Sequence, residues 1–237
     1  MKFGIITPVF DGCLTSLELL FQDVNSQTHT NWAWIICSNG YSEKIAAFAR
    51  EKNQLLSRYN RNVAWRLGNF LMPRLTYLHL PYQETPDPRS LLRDLGRRRD
   101  YCIGKIHADY LFMFDADAKL LDSDMFRIID EKLGRSPKDL CVYRILHDVG
   151  ILPVFPIQYG RIDMLNFCVK ARLAKEIGYP TDLSPDGMCN DYRYFDRALN
   201  RAGDYLFIDQ IFGHHNGNNN NSYINLLKQL SGECARK

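Results

Sequence analysis

The chain has 237 residues, 46% hydrophobic and 24% charged, with a formal net charge of +3 at pH 7. That length is enough to bury one sizeable core, and the composition is that of a globular protein rather than a disordered or membrane-spanning one. So small a positive balance, with no aromatic-basic repeat and no zinc-knuckle spacing, argues against nucleic acid as a partner, although it can assist docking at an anionic membrane surface.

In chain order, Lys2 to Val9 is a short apolar run closed by Thr7-Pro8, after which Leu14, Leu17, Leu20, Phe21 and Val24 recur at helical spacing. Trp32 to Cys37 is a second strand ending at Ser38-Asn39-Gly40, and an Ala-rich helical stretch follows from Ser42 to about Leu56. Arg74 to Leu80 is a third strand, Arg89 to Ala108 a long helix, and Tyr110 to Phe114 a fully apolar strand. This alternation predicts an α/β fold with a mostly parallel sheet, in which the loops Pro8 to Asp11, Ser38 to Gly40 and Asp115 to Asp117 converge on one crevice at the carboxyl ends of the strands.

Beyond about residue 120 the regularity weakens. Strands are predicted at Leu140 to Leu146 and Met164 to Lys170, helices at Leu173 to Ile177 and Asp191 to Ala202, and a last short amphipathic helix after the polar run Asn216 to Asn221. No linker separates two domains, so one domain over 1–237 is expected. No apolar run is long enough to cross a bilayer, and Met1 to Val9 lacks the form of a secretory signal. The seven cysteines show no Cys-x-x-Cys pair and several sit in apolar segments, as reduced core thiols do, which suits a cytoplasmic setting.

Asp115 and Asp117 stand two apart just past an apolar strand, so in an extended chain both carboxylates project to one side. Two hard oxygen ligands so placed suit Mg²⁺ or Mn²⁺ completed by substrate phosphates; the plainer alternative is a pair of solvated loop aspartates with a helix cap at Asp122 or Ser123. One helix earlier, Leu92, Leu95, Cys102, Ile103 and Ile106 form an inward stripe with Arg99 in its middle, while Arg93 and Arg97 point outward. A buried guanidinium needs a partner, either Asp109 or another internal carboxylate, or a bound nucleotide.

Asn190 is expected to cap a helix, and Asp191 in its first turn is kept ionised by the helix dipole, as a general base must be. His214-His215 follows the apolar run Leu206 to Phe212. Either imidazole can serve as a third metal ligand, but adjacent residues point different ways and at most one binds. Phosphate-loop, dinucleotide, nucleophile-elbow and zinc-protease motifs are all absent.

Taken in order, these segments resemble the family 2 glycosyltransferases of GT-A (nucleotide-diphospho-sugar transferase) fold, whose mixed, mostly parallel central sheet is flanked by helices. Thr7-Pro8-Val9-Phe10-Asp11-Gly12 is similar to that family's T-P-V-Y-N-G opening. Val24 to Cys37, VNSQTHTNWAWIIC, is similar to S-Q-T-Y-x-N-W-E-x-I-I-V, and Arg99 to Asp117, RDYCIGKIHADYLFMFDAD, to R-N-x-G-I-x-x-A-x-G-E-Y-I-x-F-L-D-A-D.

The resemblance implies that Pro8, Phe10, Asp11, Ser38 and Asn39 hold the donor's base and that Arg99 contributes to nucleotide binding. It also implies that Asp115-Ala116-Asp117 is a DXD motif binding the diphosphate through Mn²⁺ or Mg²⁺, with Asp115, Asp117 and one of His214 and His215 as ligands. Asn190-Asp191 with Arg197 looks like the family's E-D…R segment, which makes Asp191 the catalytic base of an inverting transfer. Ser38-Asn39-Gly40-Tyr41 departs from the usual D-D-G-S, removing the carboxylate that pairs a uracil imide; Asn39 can still accept that hydrogen but can also donate, which leaves the base open, with a UDP-sugar the first choice.

The implied partners are a nucleotide-sugar donor and a glycan, lipid-linked or other hydroxyl acceptor in surface polysaccharide or glycoconjugate synthesis, at the cytoplasmic face of a membrane. The alternative is a non-catalytic nucleotide-sugar-binding subunit of a glycan assembly complex. A sugar-1-phosphate nucleotidyltransferase ranks third, for want of a Gly-rich phosphate loop with its lysine near residue 10.

Overall fold

In the computed structural model, which describes residues 1–64, 74–85, 88–157, 161–181 and 190–216, the apolar opening segment forms β1 (Phe3–Val9), buried at every position. A 3-10 turn at Asp11–Cys13 leads into α1 (Leu14–Asn25), then β2 (Trp32–Asn39), α2 (Glu43–Ala64), β3 (Leu75–Leu80), α3 (Pro88–Lys105) and β4 (Tyr110–Met113). These four strands are mutually parallel in the order β3-β2-β1-β4, as βαβ alternation requires.

Past β4 the chain switches sheet direction. β5 (Lys119–Leu120), α4 (Met125–Arg135), β6 (Leu140–His147), β7 (Gly150–Leu152), β8 (Phe167–Lys170), α5 (Ala171–Ile177), α6 (Asn190–Ala202) and β9 (Leu206–His214) complete one sheet, β3-β2-β1-β4-β8-β6-β9-β5, with β7 paired to β6. β8 is antiparallel to both β4 and β6, while β9 runs parallel to β6. The observed architecture is therefore a mixed, mostly parallel sheet with helices on both faces.

Strand alternation divides the core between those faces. Ile5, Ile36, Phe112 and Phe114 pack with α1, α2 and α4, whereas Ile6, Ile35, Leu111 and Met113 pack with α3, α5 and α6. β4 is buried on both sides, which is why it reads as an unbroken apolar run.

α4 was not expected, although Met125, Phe126, Ile129 and Leu133 recur at helical spacing and are all fully buried. Its start is held by Gln27 rather than by a local cap: Phe126 N–H donates to Gln27 Oε1 at 3.2 Å. The helix expected beyond residue 221 lies outside the described residues. The five described cysteines are buried free thiols. Among the described residues, no helix is long and apolar enough to cross a membrane.

Candidate functional site

Where β1 and β2 end, the chain opens a crevice of about 680 Å³ lined by Phe10, Asp11, Ser38, Asn39, Tyr41 and Tyr82 at its mouth and by Asp94 and Arg98 at its base. The volume is that of a small-molecule site. Gly40, at φ +81, ends β2 in a conformation that suits glycine, and a Cβ there would meet the Tyr82 side chain at 3.2 Å.

Asn39 is committed to this loop's architecture. Its amide nitrogen donates to Gln83 O at 2.6 Å, and its amide oxygen accepts from Gln83 N–H at 2.8 Å. Below it, Arg98 donates to Val9 O at 2.8 Å and Cys37 O at 3.3 Å, tying together the ends of the two strands.

Arg99, on the next step of α3, is 5% exposed and gathers three groups. Nη2 donates to Asp115 Oδ1 at 2.6 Å, and Nη1 donates to Tyr179 Oη at 2.8 Å and to Asp191 Oδ1 at 3.1 Å. Burial alone would lower its pKa, but Tyr179, Asp115 and Asp191 outweigh burial and raise it well above the ordinary arginine value. Asp109, the partner weighed from sequence, instead accepts from Lys2 N–H at 2.7 Å.

Tyr179 reaches Arg99 through local chemistry. α5 ends at Gly178, φ +61, a left-handed position suited to glycine, and the following Tyr179 N–H donates to Asp100 Oδ1 at 2.8 Å. Close approach of this segment to α3 requires Gly96, where a Cβ would meet Pro180 O at 2.6 Å. The Tyr179 hydroxyl then donates to Asp191 Oδ1 at 2.7 Å.

The electrostatics of Asp191 differ from expectation. Its side chain is only 21% exposed, and that burial, against the opposing pull of Arg99, raises its pKa to about 6. Desolvation outweighs the helix field that was expected to hold it low. It is still largely ionised at neutral pH, and a base near 6 is well matched to proton transfer there. Asn190 is the first described residue of α6; its amide nitrogen donates to Pro180 O at 3.2 Å and its amide oxygen accepts from Arg193 at 3.5 Å.

Asp115-Ala116-Asp117 is not extended. Ala118 N–H closes on Asp115 O at 3.0 Å, so the segment turns; Asp115 pairs with Arg99, and Asp117 lies in the field of Asp115, His215 and Asp163. Burial first, then the neighbouring Asp115, raises the pKa of Asp117.

The histidines separate as adjacent residues must. His214 is fully buried, while His215 is ion-paired with Asp163 at 3.1 Å and stacked on His147 with ring centroids 4.5 Å apart. Burial works against a charge on His215, but Asp163, with the more distant Asp115 and Asp117, pushes its pKa up to about 9. Burial works to raise the pKa of Asp163, but His215 outweighs it and the carboxyl is lowered, whereas burial and His215 lower His147.

One ligand atom each from His147, Asp163 and His215 lie within 4.8 Å of one another. Two imidazoles and a carboxylate make a donor set that fits a divalent transition-type ion, and an imidazole in the shell favours Mn²⁺ over Mg²⁺.

Of the residues singled out from sequence, Phe10, Asp11, Ser38 and Asn39 line the crevice, and Arg99, Asp115 and Asp191 meet at one node. The side chains of Pro8 and Ala116 are buried, and Arg197 is exposed on α6.

Sequence reasoning missed Arg98 and Asp94, although 94, 95, 98, 99 and 102 share one helical face. It also missed Tyr179, His147 and Asp163, which only the tertiary fold brings in. A lone carboxylate within Ile162-Asp163-Met164-Leu165 was the available signal for the last.

No family model and no curated protein matches the chain in sequence. Among solved structures it is similar to residues 1–349 of S. aureus TarS, at 13% identity and a TM-score of 0.61 over 90% of this chain and 60% of that one. The same TarS segment in complex with UDP-GlcNAc gives 12% identity and 0.61 over 91% and 58%. The mannosyltransferase PcManGT from Pyrobaculum calidifontis, in complex with GDP-Man and Mn²⁺, gives 12% and 0.57 over 90% and 56%. The chain thus spans about 60% or less of the length of these proteins. The likeness is one of architecture: the chain has a GT-A-like fold.

Proposed function

We propose that the chain is a metal-dependent, inverting glycosyltransferase that moves a sugar from a nucleotide-diphosphate sugar, a UDP-sugar first among them, to an acceptor hydroxyl. The observation that carries this reading is the Arg99 node, which holds Asp115 and Asp191 together beside the crevice at the ends of β1 and β2. Solved structures of this fold hold UDP-GlcNAc in TarS and GDP-Man with Mn²⁺ in PcManGT, and these ligands support the donor class.

In this reading one domain serves both substrates, with residues to about 120 holding the nucleotide and those from about 121 the acceptor. Phe10 and Asp11 face the base and ribose from the first loop. Asp191 takes the proton of the acceptor hydroxyl as its oxygen bonds to the anomeric carbon. The bond from that carbon to the phosphate oxygen breaks, its electron pair leaves with the nucleoside diphosphate, and attack from the opposite face inverts the configuration. Arg99 and Tyr179 fix the Asp191 carboxylate through Oδ1, so Oδ2 is the base atom.

His147, Asp163 and His215, with Asp117 in their field, would hold a divalent ion, Mn²⁺ before Mg²⁺. When bound, that ion supplies positive charge against the departing diphosphate. His214, enclosed on β9, is not assigned to the ion.

The exposed apolar side chains Val149, Ile151, Val154 and Phe155 lie in the second half of the chain. They support peripheral contact with a membrane surface and a lipid-linked acceptor of surface polysaccharide or glycoconjugate synthesis, on the cytoplasmic side. Retention of Asp191 in a formed hydrogen-bond node favours turnover over a non-catalytic binding subunit.

Thermal unfolding with a panel of nucleotides and nucleotide sugars, with and without Mn²⁺, tests the proposal. Stabilisation by a nucleoside diphosphate that deepens with Mn²⁺ is expected. Stabilisation by none of them would overturn it.

A further inference from the structure

The crevice contains a buried carboxylate to which the mechanism gives no task. Asp94 is 3% exposed and ion-paired with Arg98, whose Nη2 lies 2.9 Å from its Oδ2, while Asp94 Oδ1 makes no hydrogen bond. Arg98 Nε likewise has no partner. Unsatisfied buried polar atoms are costly and uncommon, and here an acceptor and a donor stand side by side at the base of a cavity of ligand size. Asn39, the loop residue that sequence pointed to for the base, is already spent on Gln83.

Resting on the nucleotide-sugar reading above, we propose that Asp94 and Arg98 together read the donor's base. Asp94 accepts the ring N–H of a base that carries one, and Arg98 Nε–H donates to the carbonyl beside it. Uracil and guanine both present this N–H and C=O edge. Adenine and cytosine present a ring-nitrogen lone pair in its place, which faces the carboxylate unfavourably. Tyr82 and Leu91, both exposed, line the same crevice.

The test is calorimetric binding of UDP, GDP, CDP, ADP and N3-methyl-UDP to the wild-type chain with Mn²⁺, together with UDP and GDP binding to Asp94→Asn. UDP or GDP is expected to bind roughly 10- to 100-fold more tightly than CDP, ADP and N3-methyl-UDP, the value of a hydrogen bond to a charged group, and Asp94→Asn should erase most of that gap. The methylated nucleotide probes the same contact without altering the protein, so an unfolded variant does not decide the matter.

Tight UDP binding identifies uracil and tight GDP binding guanine, and either supports the proposal. Equal binding of all five would overturn the role of Asp94 and leave the glycosyltransferase reading intact. Binding of none would overturn both.

Discussion

Asp115 and Asp191 share one cation: Arg99 donates to Asp115 Oδ1 at 2.6 Å and to Asp191 Oδ1 at 3.1 Å, joining the turn after β4 to the first turn of α6. The carboxylate that follows β4 and the proposed base are thereby held in fixed relation by a side chain that is itself buried.

Arg99→Lys should keep the charge and lose the bridge, because an ammonium lacks the planar fork that reaches two carboxylates at once. Transfer is expected to fall by about 100-fold or more. Arg99→Met removes the charge as well. With Asp191 left poorly paired but Asp115 38% exposed, a stability loss of about 3 kcal/mol, at the lower end for a broken buried pair, is expected in denaturant unfolding.

The pH profile should report Asp191. Burial raises its pKa to about 6, and the base works only when ionised, so kcat/KM should rise with pH and reach half its plateau near 6. Stability linked to this group runs the opposite way. The folded carboxyl holds its proton more tightly than the unfolded one, so its contribution is present below the ordinary carboxylate range and is lost as pH rises through about 6.

Tyr179→Phe isolates a positioning role. The hydroxyl donates to Asp191 at 2.7 Å and lowers its pKa, so the variant should move the rising limb of the profile to higher pH while the donor still binds. A limb that stays in place, with only the plateau reduced, would assign Tyr179 a structural role alone.

Metal binding should compete with a proton on His215. Asp163 pushes that imidazole to about 9, so an ion displaces a proton at neutral pH, and Mn²⁺ affinity should grow by up to about tenfold from pH 7 to pH 8 in calorimetric titration. His215→Ala should weaken binding and flatten this dependence. The stability contributed by the His215–Asp163 pair is present below the ordinary histidine value and is lost as pH rises through about 9.

Much of the first half of the chain was legible from periodicity. β1, β2 and β4 announce themselves as apolar runs, and the stripe on α3 placed Arg99 inside the molecule before any partner was known. The α4 pattern was equally legible from Met125, Phe126, Ile129 and Leu133, but it lies where strand–helix alternation had ceased to guide the reading.

The remainder depended on long-range placement. Tyr179 gains its role from a glycine-terminated helix packed on α3, and His147 and Asp163 meet His215 only through the pairing of β6 with β9 and the turn before β8. The desolvation that raises Asp191 is likewise a property of the packed site, which no local helix-dipole argument contains.

The most direct measurement is release of nucleoside diphosphate from UDP- and GDP-sugars by the wild-type chain and by Asp191→Asn, each with and without Mn²⁺. The account predicts Mn²⁺-dependent release by the wild type, a loss of about 100- to 10,000-fold in the variant, and donor binding nearly unchanged. Release by Asp191→Asn at the wild-type rate would remove Asp191 from the mechanism, and no release from any donor by a wild-type chain that binds it would contradict the assignment of a transferase.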